Sequence, residues 1–129
     1  MPLEIAYPDN GEGIKICAIG YIEPSEIFEA YKEIYSEEHI KKKKYFLIDR
    51  SECMENYMTN EGIQEIAAHD NYALKVNPNL IIAHIAPTDF QYGLTRMWLA
   101  NMDDDKFSIK IFRKRKCAEA WIKNKLKNN

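Results

Sequence analysis

Paired cysteines, a metal-binding histidine pattern, a long apolar run and a phosphate-cradling glycine loop are all missing from this sequence. The three cysteines, Cys17, Cys53 and Cys117, are odd in number, far apart and never spaced Cys-x-x-Cys. That argues against a disulfide framework or a zinc site and reads as reduced thiols. The three histidines, His39, His69 and His84, lack the short spacing by which a helix or hairpin offers two ligands to one ion. No metal and no cofactor is expected. The longest apolar stretches, residues 80–83 and 85–87, are interrupted by His84 and fall far short of the roughly 20 residues that span a bilayer. No membrane span is expected. Gly11 and Gly13 are not followed directly by a helix pattern, so they form no phosphate loop. The opening Met-Pro-Leu-Glu-Ile has neither a basic lead nor an apolar signal core, which predicts a cytoplasmic location.

What is present is the balance of an ordinary folded domain. With 129 residues, 46% hydrophobic and 29% charged, residues 1–129 fit one domain with a real core. The net charge of −2 hides a polarity. Residues 106–129 hold nine basic and one acidic residue, a balance of +8, and residues 1–105 hold nine basic and nineteen acidic, a balance of −10. A basic end can meet nucleic acid, an anionic membrane or an acidic protein, but it also complements the acidic remainder of its own domain, and that simpler reading is preferred.

Residues 3–7 and 14–21 are short apolar runs around the turn-rich Asp9-Asn10-Gly11-Glu12-Gly13, which predicts an antiparallel hairpin. From Pro24 the period changes to Ile27, Tyr31 and Ile34, an amphipathic helix whose carbonyl end meets the lysines at 41–44. Residues 45–49 read as a strand buried on both faces. Residues 50–58 form the one connection long enough to be a functional loop. Thr59 can cap a second helix carrying Ile63, Ile66, Ala67 and Leu74, ended by Asn77-Pro78-Asn79. Residues 80–86 are another strand. Thr88-Asp89-Phe90-Gln91 has capping-box form, and Phe90, Leu94, Met97 and Trp98 predict the buried stripe of a third helix. A strand over 107–112 and a helix burying Ala118, Trp121, Ile122 and Leu126 close the chain. On that last helix, Lys116, Lys123 and Lys127 fall opposite the apolar stripe and are expected in solvent. The order is β-β-α-β-α-β-α-β-α, an α/β fold with a five-stranded, mostly parallel sheet and four helices.

That order, with Phe90-Gln91-Tyr92-Gly93-Leu94-Thr95-Arg96-Met97 and Ile109-Lys110-Ile111-Phe112 followed by Ala118-Glu119-Ala120-Trp121-Ile122, resembles the STAS-like (SpoIIAA-like, STAS/SEC14-like) group of small bacterial domains related to anti-sigma-factor antagonists. The resemblance implies a STAS-like fold and a non-catalytic regulatory or scaffold module that binds a protein partner. Its alternative implication is a carrier of an apolar small molecule or lipid. In the antagonist branch a hydroxyl at the start of the second helix is phosphorylated; here that position aligns with Glu61, which has none, in Thr59-Asn60-Glu61-Gly62. Arg113-Lys114-Arg115-Lys116 also departs from the group, which opens its last helix on an acidic residue.

Ligands of open parallel sheets bind beyond the strand carboxyl ends, a rule that points to Tyr21, Asp49, Arg50, Ser51, Thr88, Asp89 and Arg113. Ser51 has no Gly-x-Ser-x-Gly elbow and no nearby histidine in sequence, so no catalytic residue is assigned. His84 reads as a hydrogen-bonded core histidine. Arg96 is expected to pair with an acid before binding an anion. The candidate binding set is Tyr21, Met54, Tyr57, Met58, Glu61, Phe90, Tyr92 and Arg96, converging as an apolar mouth with Glu61 and Arg96 at its rim. The partner is an unidentified protein, with an apolar small molecule as the alternative. Specific nucleic-acid binding is not expected without stacking aromatics on the basic face, and pairing of two copies stays open.

Overall fold

The turn after Tyr7 folds the chain back on itself, with Asp9 and Asn10 at φ 56° and 57° and Gly11 at 85°. Asx residues and glycine tolerate this left-handed backbone. It joins β1 (Leu3–Ala6) to β2 (Gly13–Ile22), antiparallel, with Leu3 opposite Ala18. Side chains further along the chain clasp the turn: Lys43 Nζ donates to the Gly11 carbonyl, the Tyr45 hydroxyl donates to Asp9 (2.5 Å), and Lys44 pairs with Glu12 (2.6 Å). Burial, then the bond to Asp9, pushes the Tyr45 hydroxyl pKa up. A computed structural model describes residues 3–22, 24–34, 36–56, 60–102 and 109–127.

The remaining elements are α1 (Pro24–Ile34), α2 (Glu37–Lys41), β3 (Tyr45–Asn56), α3 (Asn60–Val76), β4 (Ile81–Ile85), α4 (Asp89–Ala100), β5 (Ile109–Phe112) and α5 (Arg115–Lys127). The sheet runs β1-β2-β3-β4-β5, parallel after its first pair, so the α/β class and the mixed five-stranded sheet are as the sequence predicts. The helix count is corrected to five. Ser36 ends the first helical pattern and caps a new turn, its hydroxyl accepting from the His39 N–H at 3.3 Å.

A second correction concerns residues 50–58. Through Asn56 they are not a loop but the far half of β3, paired with β2 from Ile19 opposite Glu52 to Ile22 opposite Asn56. The register slips between Cys17 and Ile19 and again between Gly20 and Tyr21, each time leaving β3 one residue ahead. Such bulges bend a strand and re-aim its side chains.

Each parallel strand joins beside the last, so right-handed crossovers put α1, α3 and α4 on one face of the sheet. There Ile14, Ile16, Phe46 and Ile82 pack under Ile27, Ile34, Ile63, Ile66 and Trp98. On the other face, among the described residues, α5 alone covers the sheet, with Ala118 and Ile122 over Tyr45, Leu47, Ile81, Ala83 and Ile85. One helix cannot roof five strands. Beside it runs a groove of about 820 Å³ with walls of both charges, Asp9, Glu12 and Glu119 among Lys15, Lys44 and Lys123. Lys116, Lys123 and Lys127 are exposed, as expected of the last helix.

Candidate functional site

The carboxyl ends of β4 and β5, with the middle of β3 beside them, carry two polar clusters, one on each face of the sheet. On the α5 face, Asp49 is almost fully buried, 3% exposed at its side chain. One carboxylate oxygen accepts the backbone N–H (2.9 Å) and the hydroxyl of Ser51, and the other accepts the guanidinium of Arg115. The bulge opposite Cys17 and Ile19 takes Ser51 out of regular pairing, and the carboxylate satisfies its N–H instead. Beside this, Arg113 donates to the Pro87 carbonyl (3.1 Å) and to Asp89 (2.9 Å), and its guanidinium lies 4.2 Å from the centre of the Tyr92 ring. Asp49 and Asp89 are therefore held by different arginines.

On the opposite face, α4 decides what is presented. Thr88 and Gln91 form the expected capping box, the Thr88 hydroxyl accepting from Gln91 N–H (3.1 Å) and the Gln91 side chain accepting from Thr88 N–H (3.2 Å). The buried line of the helix is Gln91, Thr95 and Trp98, so of the stripe that hydropathy predicts Trp98 is buried as expected while Phe90 and Met97 are not. Each polar member has its bond. Gln91 Nε2 donates to the Arg50 carbonyl (2.8 Å), Thr95 Oγ1 to the Gln91 carbonyl (2.8 Å), and Trp98 Nε1 to Asp70 on α3 (2.7 Å). Satisfied polar groups bury without penalty, and that rotation turns Phe90, 60% exposed, and Met97, 43% exposed, toward solvent. Leu94 still packs against the core.

His84 is buried beside Trp98, ring centroids 4.3 Å apart, and among the described residues neither of its ring nitrogens has a hydrogen-bond partner. It is a core histidine as expected, but not a hydrogen-bonded one. Burial, then the nearby Arg50 charge, holds its pKa well below the ordinary range. His84 shares its face with Trp98, whereas Asp49 and its Ser51 partner belong to the α5 face. The imidazole therefore does not serve Ser51.

The anticipated apolar mouth is placed only in part. Tyr21 lies in β2 opposite Glu55 and Met54 lies in β3, but their side chains, and Tyr57 and Met58 altogether, lie outside the described residues. Glu61 is exposed in the first turn of α3, where the helix dipole favours an acid. Phe90 and Tyr92, two residues apart, diverge around α4, Tyr92 half-buried under Arg113 and Phe90 outward. Arg96 is exposed and is paired with no carboxylate among the described residues. Sequence reasoning missed the Asp49–Arg115 and Trp98–Asp70 pairs. Their one signal was chemical: an indole N–H in a core needs an acceptor, and Asp70 stands on the neighbouring helix pattern.

Among the described residues, no group of His, Cys, Asp and Glu could hold a metal ion, and no helix is long and apolar enough to cross a membrane. No protein-family profile and no curated protein sequence matches the chain.

Proposed function

We propose that this chain is a non-catalytic regulatory or scaffold module of the STAS-like kind, binding a protein partner through the outward face of α4. The observation that carries the reading is the exposure of Phe90 and Met97 on a well-capped helix whose buried side is already complete. Large apolar side chains that share one exposed face of a rigid element form a patch of the kind that marks docking surfaces. The interior supports the same reading over the carrier. The apolar cavity between the sheet and α1, lined by Ile16, Ala18, Ile27, Tyr31, Ile48 and Ile66 among others, has about 30 Å³ of room. Small-molecule pockets run to roughly 300–1,000 Å³. The arrangement of Ser51, Asp49 and His84 supports the non-catalytic part. Native mass spectrometry of the purified chain, followed by organic extraction, tests the reading. Masses of the bare chain or its multiples are expected, and a co-purifying lipid or apolar molecule in stoichiometric amount would replace it with the carrier.

A further inference from the structure

The outward face of α4 has a pattern of its own. At about 100° per residue, Phe90, Gly93, Met97 and Ala100 fall on one stripe, spaced 3, 4 and 3 residues apart, the rhythm of a helix-pairing seam. All four are exposed. Asp89 and Arg96 run along one flank of it. Gly93 is the second observation. It stands in mid-helix, where glycine is unfavourable. Its φ is not positive, and a Cβ built on it would meet nothing within 4 Å. Nothing among the described residues explains the missing side chain, whereas close approach of an outside backbone does.

We infer that α4 pairs antiparallel with α4 of a second copy of this chain, crossing at Gly93. This rests on the docking reading above and names its partner. With a two-fold axis between Gly93 and Leu94, Met97 of each copy lies directly across from Phe90 of the other, a sulfur-to-ring contact made twice. On the flank, Arg96 of one copy comes within about 3 Å along the axis of Asp89 of the other, two residues of helical rise. Asp89 has a 98% exposed side chain and holds Arg113 through one oxygen, so its carboxylate can accept a second guanidinium. The stripe is thus complementary to itself in size and in charge. One pair of 12-residue helices covers less than the roughly 1,200 Å² of a standard interface, so the dimer forms reversibly with concentration.

Sedimentation equilibrium of the full chain from about 10 µM to about 1 mM tests this. The mass should rise from one chain toward two. Gly93→Leu, whose Cβ would meet nothing within 4 Å, and Arg96→Glu, which faces Asp89 with a like charge, should each weaken association about tenfold or more without lowering the melting temperature. If Gly93→Leu fails to fold, Arg96→Glu and Phe90→Lys decide. A wild-type chain that stays monomeric throughout overturns the pairing, and so does a dimer that both substitutions leave intact. Neither result touches the docking reading, which fails separately if native mass spectrometry finds a bound lipid.

Discussion

His84 is the residue whose chemistry departs most from its surroundings. Neutral in the fold because burial and Arg50 disfavour its charge, it takes a proton freely once the chain unfolds, near pH 6.5. A depressed folded pKa makes the native state fully stable above the unfolded value and weakens it as pH falls through that value. Between about pH 6.5 and 5 the His84 contribution should fall by up to about 1.4 kcal/mol per pH unit. His39 is shifted down by burial as well and adds in the same direction. Urea midpoints for the wild type and His84→Leu isolate the larger effect: the variant should lose most of the slope in this window. An equal slope in both would place the titration elsewhere. Asp70 offers a second residue-scale check. Asp70→Ala strands the buried indole N–H of Trp98 and should cost about 1–3 kcal/mol, read as a lower melting temperature.

At the scale of elements, two glycines of opposite meaning test the account. A Cβ at Gly13 would sit 2.2 Å from Tyr45 Cζ. That ring is 5% exposed and tied to Asp9, so it has little freedom to yield. Gly13→Ala should therefore destabilise by about 1–3 kcal/mol, whereas Gly93→Ala should raise the stability of the monomer by up to about 1 kcal/mol. Thermal melts at low concentration compare them. The same scale shows what the sequence reveals and what it conceals. The hairpin at Asp9-Asn10-Gly11, the capping box at Thr88 and the two buried strands 45–49 and 80–86 are legible because each depends on neighbours in the chain. The rotation of α4 is not. Hydropathy places Phe90 and Met97 inside with Trp98, and the long-range acceptor at the Arg50 carbonyl holds Gln91 inside instead. The extension of β3 through Asn56 is equally hidden, since Ser51, Glu52 and Glu55 read as loop residues until β2 supplies a ladder for them.

For the whole molecule, the distribution of exposed apolar surface is what separates the possible roles. The described interior has room for little beyond a water molecule in its apolar cavity, and the groove beside α5 has walls of mixed charge. The proposed docking face lies on the outside, where α4 carries Phe90 and Met97. Hydroxyl-radical labelling of the full chain across a concentration series tests this most directly, with Tyr72 on α3, 46% exposed, as the internal reference. The account predicts that Phe90 and Met97 become protected as concentration rises while Tyr72 keeps its rate. Constant labelling of all three, or protection of Tyr72 alone, would contradict it.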